Sequence, residues 1–537
     1  MPKSLAPLAL EAVPPKPSKG KVAVIGAGIG GLTAAALLAR RGYQVLVFDQ
    51  AIVPGGCAST FVRRGFTFDV GATQVAGFEP GGIHHRIFAE LGIELPTASP
   101  CDPACAVYLP GETEPICVWR DPQRWQAERE RQFPGSETFW QLLANLFRYS
   151  WAFQSRDPVL PPRSAWDLWQ LTQALRPDTL LTLPYTFATV GQILRLTGLG
   201  GDRRLKTFLD LQLKLYSQVD ADETALLYAA TALGVSQAPQ GLSHLQGSMQ
   251  ALSDRLVASL ERDGGKLLMR HTVTKIHTQN GQATAIEVRN LKTGEVWTES
   301  ADQVVANVTA QNLMQLLGEA APSGYRHRVK NLPPASGAFV VYLGVKQAAI
   351  PPDCPPHLQF LYDYDRLIAE NNSLFVSVSR PGDGRAPEGY ATLIASSFTD
   401  TALWWRDGAG ETVDETADKA AYEKLKQEYT ETAIDRLSQF FSLTPETLVH
   451  IEAATPRTFA HFTDRDRGAV GGIGQRISTF GPFGFANRTP ITSLWLVGDS
   501  THPGEGTAGV SYSALTVVRQ IEAQKAVLSS KLGQTLK

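Results

Sequence analysis

The stretch KVAVIGAGIGGLTAAALLARRGYQVLVFDQ, residues 21–50, constrains the fold more than any other part of the chain. Lys21 to Ile25 is a short β-branched run. Leu32 to Arg41 is rich in Ala and Leu, the strongest helix formers, and Gly42 is placed to stop it. QVLVFD gives a second apolar strand that ends on Asp49. Strand, glycine turn, helix and strand make a βαβ unit, whose two strands lie parallel. Gly26, Gly28 and Gly31 form G-x-G-x-x-G between strand and helix, with Gly30 inside the spacing. In that context the first glycine permits a tight turn and the second lets backbone approach a pyrophosphate. The third lets helix pack closely on strand. The helix N-terminus offers phosphates free N–H groups and about half a positive charge. Asp49, 21 residues past Gly28, stands where an acid accepts hydrogen bonds from ribose hydroxyls and repels a 2′-phosphate. The unit reads as a dinucleotide site that disfavours NADP.

Composition narrows the rest. A chain of 537 residues, 43% hydrophobic and 19% charged, has the length for a large core and for more than one domain. A net charge of −2 gives no electrostatic case for nucleic acid. Cys57, Cys101, Cys105, Cys117 and Cys354 make no disulfide framework, and no second pair completes a zinc site with Cys101 and Cys105, so no metal is expected. The reading is a reducing, cytosol-facing compartment. Residues 1–19 carry five prolines and no signal-peptide core, and read as a disordered tail. No run approaches the roughly 18 apolar residues of a membrane-crossing helix.

From about residue 96 the texture changes, and 120–240, rich in Trp, Leu, Gln and Pro, suggests helices. An amphipathic helix within GSMQALSDRLVASLERDGG precedes strand-like HTVTKIHTQ. QATAIEV, VWTESADQVVANV, AFVVYLGV, LFVSVSR and YATLIAS follow as strand candidates, then a helix over 412–441.

Six residues beyond Asp49 come Gly55 and Gly56, then CASTFVRRGFTFDVGATQ; near the C-terminus LWLV leads into GDSTHPGEGTAGVSYSAL. With the N-terminal block, these segments resemble the carotenoid desaturase and isomerase family, FAD-dependent relatives of the amine oxidases. LQGSMQALSDRLVASLERDGGKLLMRHTVTKI, ATPRTFAHFT and ADQVVANV are similar too, so the resemblance runs from about residue 20 to the end. It implies an α/β fold: a Rossmann-type FAD-binding domain of the glutathione-reductase and amine-oxidase kind, with a mixed-sheet plus helical substrate domain. The expected division is a discontinuous FAD-binding domain at 20–95, 242–325 and 485–537, and a substrate-binding, membrane-facing domain at 96–241 and 326–484.

The resemblance also assigns residues. Gly55, Gly56, Cys57 and Ala58 lie along the cofactor, and Val273 meets the adenine through its backbone. Gly498 and Asp499 face the flavin, Asp499 accepting from a ribityl hydroxyl. Gly509 and Val510 bring N–H groups to the pyrimidine edge. Gly506 and Thr507 stand where amine oxidases carry a cage aromatic, so an amine cage is not expected. No catalytic base stands out; His502 and Glu505 are near the flavin by sequence, and Glu505 departs from the small or amide residue usual there.

Within the family, FTFDVGATQVAGFEPGGIHHRIFAELGI and CDPACAVYLPGETEPICVWRDP look most like the cyanobacterial C-3′,4′ desaturases, which act at the ψ-end of monocyclic carotenoids. The alternatives are the cis-to-trans carotene isomerase and, in another class, a non-catalytic prenyl- or polyene-binding protein on the same fold. A carotenoid substrate implies an acceptor such as quinone or oxygen. It also implies peripheral contact with a membrane, for which residues 165–200, with Trp166, Trp169 and Leu180, are the candidate surface.

Overall fold

The computed structural model describes residues 18–405 and 415–535. Nearly all of the tail expected at 1–19 lies outside them.

Five parallel strands form the sheet that carries the glycine turn. Their order is Leu494–Leu496, Gln303–Ala306, Lys21–Ile25, Gln44–Asp49 and Lys266–Met269. Both faces are covered, which is why the strands read as unbroken apolar runs. Val22, Val24, Val45 and Val47 point to one side, into a helical layer. Ala23, Ile25 and Phe48 point to the other, against Val273, Ile276 and Ile286 of a three-stranded antiparallel sheet spanning His271–Ser300. Helix Ile29–Arg40 lies between helices Gln250–Arg262 and Thr507–Thr535, and every residue from Ile29 to Ala39 is buried. Its Gly and Ala content lets three helices approach closely.

The first strand is central. Its successor Gln44–Asp49 lies on one side and Gln303–Ala306 on the other, so the chain leaves Ile25 where the strand order reverses. Open α/β sheets bind ligands at such a point, outside the carboxyl ends of the strands.

A second, seven-stranded sheet runs in the order Leu448–Ala454, Ser336–Lys346, Tyr390–Asp400, Ser373–Val378, His357–Leu361, Cys105–Tyr108, Ile116–Val118. Only the His357–Leu361 and Cys105–Tyr108 pair is parallel. Helices between Pro122 and Gly234 build an aromatic core with Cys101 and Cys105 buried in it.

Three local expectations shift. The first helix starts at Ile29 rather than Leu32, because Gly30 and Gly31 already have helical backbone. VWTESADQVVANV is two strands, Val296–Ser300 and Gln303–Ala306, in different sheets. Asp302 makes the break: its carboxylate accepts the Lys21 N–H at 2.8 Å and pins the chain to the parallel sheet. The late helix is Glu415–Leu437, and the start expected at 412 lies outside the described residues.

One buried charge pair joins segments that flank the two sheets. Arg385, 2% exposed, donates to Asp69, 1% exposed, at 2.9 Å and to the Leu245 carbonyl at 2.7 Å. Asp69 also accepts from the Met249 N–H at 2.8 Å and the Thr60 hydroxyl at 2.9 Å. The pair therefore ties hairpin Thr60–Asp69, the start of helix Gln250–Arg262 and the loop before Tyr390–Asp400. Arg385→Met leaves the Asp69 carboxylate buried without its cation, and should cost about 3–5 kcal/mol in urea unfolding. A loss below about 1 kcal/mol, the size of a surface pair, would mean water reaches the site.

Candidate cofactor and substrate site

The glycine turn is shaped around one side chain. Gly26, at φ +93°, follows the first strand and donates its N–H to the Phe48 carbonyl at 2.8 Å. A β-carbon at Gly31 would stand 2.1 Å from the Gly26 carbonyl oxygen, so the helix packs on the turn only without one. Into the remaining space comes Asn307, the residue after strand Gln303–Ala306. β-carbons at Gly28 and Gly30 would lie 2.8 Å from its amide nitrogen and oxygen respectively. No side chain caps the helix N-terminus at Gly28, and its first-turn N–H groups are left for an anion.

Asp49 closes this end. Its carboxylate accepts from the Ala27 N–H at 2.6 Å and the Ala51 N–H at 2.7 Å. Burial raises its pKa above the ordinary 3.8, and those two hydrogen bonds pull it back down. Each oxygen keeps a lone pair for a further donor such as a ribose hydroxyl. The Gly55 N–H donates to the Ala27 carbonyl at 2.8 Å, which lays the Gly55–Ala58 turn against the first loop. Val273 lines the same cavity from the antiparallel sheet.

The C-terminal loop forms the opposite wall. Buried Asn487 donates to the Leu496 carbonyl, Thr501 and Ser513, and this holds the loop between the last strand and helix Thr507–Thr535. Gly498 and Asp499 line the cavity, but Asp499 already has a protein partner: Arg465, at 2.8 Å. Gly509 and Val510 line it as well. The Val510 N–H, expected to be free, donates to the Gly506 carbonyl at 3.0 Å, because the helix begins at Thr507. The free first-turn amides precede Val510. His502 and Glu505 are also on the wall. His502 faces Gln154 at 3.1 Å, and burial pushes its pKa down to about 4, so the ring is neutral. Glu505 accepts from the Gln218 amide at 2.9 Å.

All of the expected residues except Gly31, which packs inside the turn, border one cavity of about 1460 Å³. Small-molecule pockets usually occupy about 300–1,000 Å³, so there is room for a cofactor and a second ligand. Beyond Gln218 the walls are apolar: Leu215 and Leu227 from helices, Val340, Phe375 and Phe398 from the second sheet. Leu183 and Phe483 line the cavity and are also exposed, which puts a mouth at the surface there.

Sequence reasoning missed Asn307, Arg465 and Gln218. Asn307 is the last residue but one of the run ADQVVANV, and its position one residue past a parallel strand was a usable signal. Arg465 and Gln218 carry no spacing that marks them.

These residues fit FAD. The glycine cradle and uncapped helix suit a pyrophosphate, Asp49 suits a ribose, and buried unpartnered oxygens on Gln218 and Glu505 leave hydrogen-bonding groups open at the far end. Residues 24–91 match the NAD(P)-binding Rossmann-like domain family. The chain is 28% identical over 510 residues to prolycopene isomerase 1 of an Oncidium hybrid cultivar, covering 93% of this chain and 83% of that protein. It is 25% identical over 523 residues to the zeta-carotene-forming phytoene desaturase of Myxococcus xanthus, covering 93% of each.

Over nearly its whole length the chain is similar to carotenoid isomerases and desaturases.

Its fold is that of the flavin amine oxidases: cyclohexylamine oxidase from Brevibacterium oxydans superposes with a TM-score of 0.58 at 17% identity, over 94% of this chain and 99% of that one. The fold and the relatives imply FAD as the cofactor and are consistent with an FAD-dependent oxidoreductase.

Two substitutions test the cradle. Asp49→Ala should weaken FAD binding by about 1–3 kcal/mol in a fluorescence titration of apoprotein, the range for unmade charge-assisted hydrogen bonds. Unchanged affinity would take the ribose away from Asp49. Gly31→Ala should lower both FAD content and folding stability, the latter by about 1–3 kcal/mol, since backbone must move.

Proposed function

We propose that the protein is a carotenoid desaturase that introduces the C-3′,4′ double bond at the ψ-end of a monocyclic carotenoid. The observation that carries this is the continuity of one cavity from the glycine cradle to an apolar, surface-opening arm. The names of its relatives favour a carotenoid, and the resemblance over residues 66–122 favours desaturation.

In this reading bound flavin supplies hydride acceptance. The chain supplies position and dryness. Phe375, Phe398, Val340 and Leu227 offer a polyene flat apolar walls without competing hydrogen bonds. Phe480 and Tyr512, ringed about neutral His502, keep water from the loop at 498–510. Asp49 and the helix at Ile29 anchor the dinucleotide end, which fixes the register of the ring against the arm.

The mouth explains how such a substrate arrives. Trp169, Leu180, Phe187 and Leu196 are 59%, 52%, 67% and 81% exposed, and Phe187 packs on Phe483 at the opening. This apolar patch supports docking on a bilayer surface. Trp166 does not belong to it: its ring is covered by the Arg519 guanidinium. Among the described residues no helix is long and apolar enough to cross a membrane. Replacing Trp169, Leu180 and Phe187 with Ser should reduce sedimentation with liposomes while leaving FAD content intact. Equal sedimentation of parent and variant would move docking elsewhere.

The second reading is cis-to-trans isomerisation, favoured by the 28% identity to a prolycopene isomerase. Anaerobic mixing of oxidised, FAD-loaded enzyme with a monocyclic ψ-end carotenoid separates the two. A desaturase bleaches the flavin stoichiometrically and gives a red-shifted polyene. A flavin that stays oxidised, with conversion of a cis-carotene appearing only after prior reduction, gives the isomerase reading instead. An acceptor such as quinone or oxygen then belongs to the desaturase alone.

A further inference from the structure

Around the C-terminal loop two carboxylates share one cation. Arg465, enclosed beneath the loop, stands 2.8 Å from Asp499 and accounts for that charge. Glu505, six residues on, has no cation within ion-pairing distance among the described residues; its partner is the neutral Gln218 amide at 2.9 Å. The other Glu505 oxygen and the Gln218 amide oxygen are both buried without a partner. The pair is held deliberately close. Gln218 caps helix Arg203–Ser217 at φ +66°, and a β-carbon on Gly471 would stand 2.1 Å from the amide nitrogen and 2.5 Å from Glu505. The groups facing Glu505 are Gln218 from that helix cap, Tyr228 from helix Leu226–Gly234, Arg465 from the loop after Thr463, and Asp499 from its own loop.

We infer that Glu505 stands in the cavity as a neutral carboxylic acid paired with the Gln218 amide, so that beside the flavin it is a hydrogen-bond donor and not a second anion. A proton on Glu505 turns one of the two unpartnered oxygens into a donor, which neither the carboxylate nor the amide oxygen supplies. Burial drives the carboxyl well above its ordinary range and the Asp499 charge adds to this, while Gln218 and Arg465 oppose it. Other proteins keep an acid neutral in an apolar site for the same purpose, hydrogen-bond donation to developing negative charge. Reduced flavin carries such charge, and an ionised Glu505 next to Asp499 would oppose it.

The inference rests on the cavity being the FAD site, so FAD content of the parent is measured first. A parent that purifies without flavin under retaining conditions sinks that reading; a flavin-loaded parent with ionised Glu505 sinks only this one. Infrared difference spectra of FAD-loaded parent minus Glu505→Gln at neutral pH should show the D₂O-sensitive carbonyl band of a protonated acid. Carboxylate bands in its place overturn the inference. In parallel, the ratio of affinities for oxidised and reduced FAD should stay within about threefold in Glu505→Gln, whereas a gain of about tenfold for the reduced form, about 30 mV for a two-electron couple, means a charge was removed and overturns it. Should Glu505→Gln not retain FAD, Gln218→Leu reads the same group. The acid band must then move relative to the parent, and a spectrum unchanged in that region overturns the inference.

Discussion

Asn307 is the contact on which the rest of the site depends. Its atoms occupy the positions that β-carbons on Gly26, Gly28, Gly30, Gly31 and Gly498 would crowd, at separations from 2.7 to 3.0 Å. Those glycines belong to segments almost 500 residues apart, and Asn307 comes from a third. The parallel sheet makes the meeting possible: strand Gln303–Ala306 lies between the first strand and the last, so its next residue must emerge among both turns. The close approach of backbone that a pyrophosphate needs is thereby built into the strand order, and a side chain added at Gly28, Gly30 or Gly498 meets Asn307 first.

The buried charges follow a consistent economy. Arg385 sits between Asp69 and Asp383, at 2.9 and 3.4 Å, and fixes hairpin, helix and sheet loop to one another. Such a pair costs desolvation, and its return is one geometry in which both charges are hydrogen-bonded. Near the flavin end the arithmetic differs. Arg465 serves Asp499, while Glu505 has an amide for company. In the first cluster the charges are paired with one another within the protein and belong to the fold. The second leaves unpartnered acceptors facing a cavity, which is the mark of a surface finished by a ligand.

What the sequence made legible follows the same division. KVAVI and QVLVFD were readable because strands buried on both faces admit no polar residue, and the glycine spacing fixed what lies between them. The Rossmann-type class and the mixed second sheet were therefore within reach. The order of the seven strands was not, since pairing such as Leu448–Ala454 on Ser336–Lys346 depends on contacts a hundred residues apart. The break at Asp302 was hidden for another reason: VWTESADQVVAN alternates acceptably throughout, and only the Lys21 N–H across the sheet ends it. At the site, motif glycines announce themselves by spacing, whereas Asn307, Arg465 and Gln218 are single polar residues whose meaning comes from where the fold brings them. Val510 failed at finer grain. One residue in the start of a helix decides whether an amide is free or spent.

Solvation sets the terms on which the proposed substrate and this cavity meet. Removing each CH₂ of a polyene from water gains about 0.8 kcal/mol, but a polyene drawn from a bilayer has already made that gain. Lipid tails are as apolar as Leu side chains, so transfer into an arm lined by Leu227, Phe375 and Phe398 is nearly neutral. Affinity then cannot come from the hydrophobic effect and has to come from shape. Flat aromatic walls suit a rigid conjugated chain, whose few rotors leave little entropy to lose. Selection among similar polyenes falls to the length of the arm measured from the mouth at Leu183 and Phe483 to the loop at 498–510. That length is set by how the helices between Pro122 and Gly234 and the C-terminal loop close around the cavity, so on this reading the position of the reacting bond is a property of how those segments pack together.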